Sequence, residues 1–191
     1  MRTFAALVPP EPALEDLGAF LEPRRDAGPD LRWVDPSLWH VTLAFMAEVP
    51  DGRVDEVAEA VAVAAAGREA LALSLRGAGA FPHAGDARVL WTGVGGEPTA
   101  LEALARLSRS VRLACSHAGA SPEGGPFHPH LTVARSRRPF EATRWLRTLD
   151  TYEGPGWVAQ EVTLFASRPG SKGRPRHYEP VATMPLGGDK A

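Results

Sequence analysis

One short phrase occurs twice in this chain, as His40-Val41-Thr42-Leu43-Ala44-Phe45 and as His130-Leu131-Thr132-Val133-Ala134-Arg135. Each copy is a His-x-Thr inside an apolar, β-branched run. On a β-strand, residues i and i+2 project to one face, so each copy sets an imidazole beside a hydroxyl. With six histidines and ten threonines in 191 residues, about 0.3 such pairs are expected from composition alone. Two pairs sharing an apolar-Thr-apolar-Ala continuation argue against coincidence. The competing interpretation is two strands that each carry a polar pair on a solvated face.

Two imidazoles across a cleft can serve as general base and general acid, because imidazole titrates near neutral pH without assistance. In-line displacement at a phosphodiester needs a proton removed from the nucleophile and another given to the leaving oxygen, on opposite sides of phosphorus. His40 and His130 suit those two tasks. Thr42 and Thr132 can donate to the non-bridging oxygens, where negative charge accumulates. Two histidines without a carboxylate array make a poor metal site for this chemistry, so no metal or other cofactor is expected.

The elements that must position these residues follow from periodicity and turn signals. Met1 to Val8 reads as a first strand, ended by Pro9-Pro10, and Glu11 to Leu21 has helical spacing. Arg32-Trp33-Val34 is a short extended piece, Asp35-Pro36-Ser37 a turn, and Leu38 to Met46 the strand bearing the first motif. Asp51 is expected to cap a helix with Val54, Val57, Ala58 and Val61 on its apolar face, stopped by Gly67. Strands are expected at Leu71 to Leu75 and Val89 to Val94, joined by a Gly-rich segment containing Pro82 and His83. A long helix spans Pro98 to Ala118, and the loop Gly119 to Pro129 delivers the second motif strand, His130 to Ala134. Thr143 to Leu149 reads as a short helix. Trp157 to Ala166 and Tyr178 to Met184 read as closing strands around the polar loop Ser167 to Arg176. The motifs lie 90 residues apart, each between a preceding loop and further elements, as in a diverged duplication. The expected class is α+β, with the motif strands facing each other across a cleft.

Composition narrows the function classes. A net charge of −2 argues against a broad basic surface wrapping a long nucleic acid, yet permits a phosphate or an RNA end held by a few arginines. Only Lys172 and Lys190 are lysines among the 21 basic residues, a skew that high-GC coding also produces. The single Cys115 forms no intrachain disulfide and reads as a core filler in a reducing compartment. The first apolar run is too short for a signal segment or membrane span. A cytoplasmic location, no membrane association and a monomer are expected.

The chain resembles the two-histidine (2H) phosphoesterases, and within them the RNA 2′,3′-cyclic phosphodiesterases, also known as 2′-5′ RNA ligase-like proteins. The resemblance runs over nearly the whole chain: Arg2-Thr3-Phe4-Ala5-Ala6-Leu7, Arg32-Trp33-Val34, Leu38-Trp39-His40, Arg88-Val89-Leu90-Trp91, Pro126-Phe127-His128-Pro129-His130-Leu131-Thr132 and Leu164-Phe165-Ala166-Ser167. It implies one bilobal domain over residues 1–191, with pseudo-twofold symmetry and two antiparallel sheets lining a cleft. It also implies hydrolysis of an RNA-terminal 2′,3′-cyclic phosphate to a 2′-phosphate, with His40 protonating the 3′ oxygen and His130 activating water. The residues themselves do not separate those two roles. Trp39 departs from the usual smaller polar or His residue, and is expected to narrow the substrate side of the cleft. Alternatives are a phosphodiesterase for small cyclic nucleotides or ADP-ribose cyclic phosphate, a 2′-5′ RNA ligase, or an RNA-end binding module without turnover. The expected partners are RNA ends or nucleotides bearing a 2′,3′-cyclic phosphate.

Phe45 and Arg135 hold equivalent places, five residues after each His, and are candidates to flank the nucleobase. The alternatives are core packing for Phe45 and a solvated charge for Arg135. His128 is expected to brace the site from the Pro-bracketed loop through a hydrogen bond, and His83, His117 and His177 to be surface residues. Arg168, Lys172, Arg174 and Arg176 could rim the site or simply solvate a loop. Trp33, Trp91, Trp145 and Trp157 read as core or lobe-interface residues.

Overall fold

The first strand, β1 (Thr3–Leu7), is buried along its whole length. Burial of successive residues, which alternate between faces, requires cover over both faces of the strand, and β1 has a strand on each side as well. It lies between β3 (Val41–Met46) and β8 (Glu161–Arg168), antiparallel to each. The computed structural model describes residues 1–26, 31–168, 170 and 177–187. The remaining strands are β2 (Arg32–Trp33), β4 (Leu71–Phe81), β5 (Ala87–Gly95), β6 (His130–Phe140), β7 (Trp157–Ala159) and β9 (His177–Pro185). The order across the sheet is β7-β4-β5-β6-β3-β1-β8-β9, with β2 added alongside β6. The two expected antiparallel sheets are therefore two four-stranded halves. They meet where the motif strands β6 and β3 touch, at one paired position, Val41 opposite Leu131.

Four α-helices among the described residues cover the halves. These are α1 (Glu11–Leu21), α2 (Val54–Ala66), α3 (Pro98–His117) and α4 (Thr143–Leu149). Helices α2 and α3 pack together against β8, β9 and β3, and α3 reaches β4, on which α1 and α4 also lie. Pro12 and Pro98 open α1 and α3 from within the first turn, where a missing N–H costs nothing. The apolar stripe of α3 buries Leu104, Leu107, Val111 and Cys115, and Ser108 with them. Burial pushes the Cys115 thiol up to about 11, as suits a core filler. Among the described residues, no helix is long and apolar enough to cross a membrane.

Several boundaries differ from the sequence reading, each for a physical reason. Asp51 does not cap α2; a short 3₁₀ turn, Asp51–Arg53, intervenes, and the helix starts without a side-chain cap. The motif strand expected from Leu38 starts at Val41, because Pro36–Leu38 forms another 3₁₀ turn. The Gly-rich link after Leu75 is strand, not loop. Gly77 there takes a positive φ of 69° at a register shift, as a bulge requires. Gly79 lies so close under the Trp91 ring that a Cβ would sit 2.0 Å from it. The single strand expected over Trp157 to Ala166 is two strands in opposite halves of the sheet, β7 at one border and β8 between β1 and β9. β7 pairs with β4, the chain crosses at Gln160, and β8 pairs with β1. The second motif strand runs on to Phe140.

Candidate active site

Both motifs place their polar residues as period-two geometry requires. His40, Thr42, His130 and Thr132 all line one cleft of about 840 Å³ at the junction of the half-sheets. Val41 and Leu131, between them, are fully buried on the opposite face. Val41 opposite Leu131 is the one paired position of β3 with β6; counted one residue each way from it, His40 falls beside Thr132 and Thr42 beside His130. On that count the four groups are the corners of a quadrilateral, with the imidazoles on one diagonal and the hydroxyls on the other. Neither threonine hydroxyl has a protein partner among the described residues.

Each imidazole is held in the same manner. His40 Nδ1 lies 2.7 Å from the Leu38 carbonyl, and His130 Nδ1 lies 2.6 Å from the His128 carbonyl. A carbonyl only accepts, so Nδ1 is the donor in both rings, leaving Nε2 as the free, basic nitrogen. The bracing expected of His128 thus comes from its main chain; its own ring is exposed. Aromatic walls complete both seats. His40 stacks on Phe4 at 4.6 Å and meets Tyr178 edge-on at 5.3 Å. His130 meets Phe81 edge-on at 4.9 Å and Trp91 at 5.7 Å. Burial pushes the His40 pKa down from its ordinary 6.5 to about 4; its bond to Leu38 opposes this, while the charges of His130 and Arg135 add to it. His130 is lowered as well, first by burial, against the pull of its bond to His128, and further by Arg135 and His128. Both shifts favour the neutral imidazole in the resting site.

Strict alternation would turn a residue five places after each His to the other face. Phe45 and Arg135 nevertheless both line the cleft, because each motif strand contains a one-residue bulge after its threonine. In β3 the pairing with β1 slips at Leu43, from Thr42 opposite Ala6 to Ala44 opposite Ala5. In β6 the pairing with β5 slips at Val133, from Thr132 opposite Trp91 to Ala134 opposite Leu90. The extra residue reverses the parity. Each bulged carbonyl has a specific donor. Ser108 Oγ of α3 donates to the Leu43 carbonyl at 2.7 Å, and the Val34 N–H donates to the Val133 carbonyl at 2.9 Å.

Other residues of the cleft were not singled out as site residues from sequence. The Arg2 guanidinium lies over the Phe45 ring, 5.7 Å from its centroid. Arg32 and Trp33 also line the wall, and Trp33 Nε1 donates to the Arg25 carbonyl. So Trp33 is a cleft residue, while Trp157 is core as expected. Asp35 lines the cleft with its carboxylate spent on the Ser37 N–H and hydroxyl, which hold its pKa below the usual value. Trp39 corrects an expectation: at 2% exposure it belongs to the core, because the residue before His40 points to the other face. His83, His117 and His177 are exposed. Arg168 donates to Glu179; Lys172, Arg174 and Arg176 lie outside the described residues.

The sequence signature of the 2′-5′ RNA ligase superfamily matches residues 9–170. The chain belongs to that superfamily. It is 36% identical over 159 residues to an RNA 2′,3′-cyclic phosphodiesterase of Geobacillus stearothermophilus, covering 81% of this chain and 47% of that one. This chain therefore spans about half that relative's length. A second RNA 2′,3′-cyclic phosphodiesterase, from Methanothermobacter thermautotrophicus, is 30% identical over 73% of each chain. The crystal structure of LigT from E. coli in its apo form superposes with a TM-score of 0.75 at 25% identity, covering 97% of this chain and 96% of LigT. Membership in the 2′-5′ RNA ligase superfamily accords with the α+β architecture and the doubled motif.

Proposed function

We propose that this chain hydrolyses a terminal ribose 2′,3′-cyclic phosphate of RNA to a 2′-phosphate. The observation that carries this reading is the diagonal pair of imidazoles, each with Nδ1 tied to a carbonyl and Nε2 free, with a threonine hydroxyl across from each. The names of the relatives supply the substrate class. The His130 Nε2 takes a proton from water as its oxygen bonds to phosphorus. The P–O3′ bond breaks, and His40 delivers a proton to the departing 3′ oxygen. Thr42 and Thr132 donate to the non-bridging oxygens, and Phe45 and Arg135 flank the nucleoside. Burial favours the neutral form of both rings in the resting cleft, so the acid takes up its proton from solvent as the anionic substrate binds, whose charge favours an imidazolium. The whole quadrilateral lies in one chain, so the reading needs no second copy.

The test is incubation of chelator-treated protein with a short RNA ending in a 2′,3′-cyclic phosphate, followed by end-group analysis. A 2′-phosphate product, lost in both His40→Ala and His130→Ala, is expected. Tight binding of the RNA with no turnover would make this an RNA-end binding module instead.

A further inference from the structure

Arg32 and Arg135 are directly paired across β2 and β6. Opposed residues on antiparallel strands project to the same side, with Cβ atoms about 4.5–5.5 Å apart. Both side chains are exposed, and both line the cleft that holds the two imidazoles. Like charges facing each other weaken a strand pair, a cost that an adjacent carboxylate ordinarily offsets. Neither guanidinium has an ion pair among the described residues. The acidic residue three places on, Asp35, is committed to Ser37. Arg135 is close enough to the chemistry for its charge to act on both rings, and Arg32 stands beside it on the next strand. Two guanidinium forks side by side, open to the cleft and without a counter-ion, fit the oxygens of a phosphate.

We propose, resting on the hydrolase reading of this cleft, that Arg32 and Arg135 together bind a second phosphate, the one on the 5′ oxygen of the nucleoside whose 2′,3′ phosphate is cut. In an RNA strand that group is the phosphodiester to the preceding nucleotide; in a mononucleotide it is a terminal 5′-phosphate. The preferred substrate class then carries phosphate at both ends of its last ribose, and a bare nucleoside 2′,3′-cyclic phosphate is a poor substrate.

The test compares adenosine 2′-phosphate with adenosine 2′,5′-bisphosphate by calorimetric titration of the full chain, which requires no turnover. The bisphosphate should bind about 10- to 100-fold more tightly, the scale of a charge-assisted pair of hydrogen bonds. Arg32→Gln should bring that ratio close to one, and Arg32→Lys should restore part of it; thermal melting checks that both variants fold. Equal affinities in the unmodified protein, or an unchanged ratio in Arg32→Gln, overturn the proposal. Hydrolysis of adenosine 2′,3′-cyclic phosphate, its 5′-phosphorylated form and the dinucleotide ending in the same group separates the sources. Equal gains for the latter two identify the phosphate itself as the recognised group. A gain confined to the dinucleotide assigns recognition to the upstream nucleoside and overturns the proposal. A retained bisphosphate preference without hydrolysis of any of the three overturns the hydrolase reading and leaves the arginine pair standing.

Discussion

Val41 stands opposite Leu131 at the only paired position between the two motif strands, so the relative placement of the two cleft imidazoles hangs on one rung of sheet. Both residues are fully buried, and each is the immediate neighbour of a cleft histidine. Truncating Leu131→Ala removes packing beneath the quadrilateral. A stability loss of about 2–5 kcal/mol is expected in denaturant titrations. kcat should fall further than the change in folded fraction explains. Normal kcat in the folded fraction would separate the rung from the chemistry.

The histidines and threonines should differ in cost. His40→Ala and His130→Ala each remove a proton-transfer group and should abolish most turnover, with the double variant barely worse than either single one. Thr42→Ala and Thr132→Ala each remove one hydrogen bond to a charged oxygen, on the order of 1.5–3 kcal/mol in transition-state stabilisation. Steady-state kinetics on a 2′,3′-cyclic phosphate reads all five. Near-normal turnover in either histidine variant would refute paired acid–base catalysis.

The pH dependence follows from burial. His40 is pushed down to about 4 and His130 is lowered too, so kcat/KM should trace a bell with its maximum between about 4 and 6.5, wherever the acid and base roles fall. Stability carries the same signature. The unfolded chain holds more protons than the folded one between pH 6.5 and 4, so stability should fall as pH drops through that window. Imidazole NMR resonances should report a His40 pKa near the lower limit, rising when phosphate enters the cleft. An unshifted His40 titrating at 6.5 would contradict this.

Ser108 should matter to a site that it does not touch. Ser108→Ala leaves the buried Leu43 carbonyl without its donor, at a cost of about 1–3 kcal/mol. It also frees the bulge that turns Phe45 into the cleft. Lower melting temperature with a KM raised more than kcat is lowered is the expected pair of results. A change in stability alone would limit Ser108 to the core.

Chelation should leave turnover intact. Both Nδ1 atoms are occupied by carbonyls, the cleft carboxylates are Asp35, engaged by Ser37, and Glu123, and no three His, Cys, Asp or Glu among the described residues are grouped to hold a metal, so this donor set suits protons better than a divalent ion. Activity lost in EDTA and regained with a divalent ion would overturn the proposed mechanism.

The motif was legible because strand parity is a local rule. Two residues separated by one share a face on any unbulged strand, so the pairing of imidazole with hydroxyl could be read without knowing the sheet. The same rule placed Trp39 opposite His40, although the resemblance pointed the other way. The parity of Phe45 and Arg135 was not legible. It depends on bulges at Leu43 and Val133 whose donors, Ser108 and Val34, come from distant segments. The break at Gln160 was hidden for a similar reason. The run from Trp157 to Ala166 is continuous in β character, and only tertiary pairing sends its two parts to opposite halves of the sheet. The facing of Arg32 with Arg135 likewise needs the register of two strands far apart in sequence.

The interior place of β1 bears on how this chain is made. Its five buried residues lie between β3 and β8, and β8 is translated long after β1 and β3 have left the ribosome. Until then β1 carries a bare apolar edge, able to template pairing with another nascent chain. Contacts spanning nearly the full sequence must also form before that edge is covered, which slows folding. During synthesis this edge therefore stays open to such pairing until residues 161–168 are available to cover it.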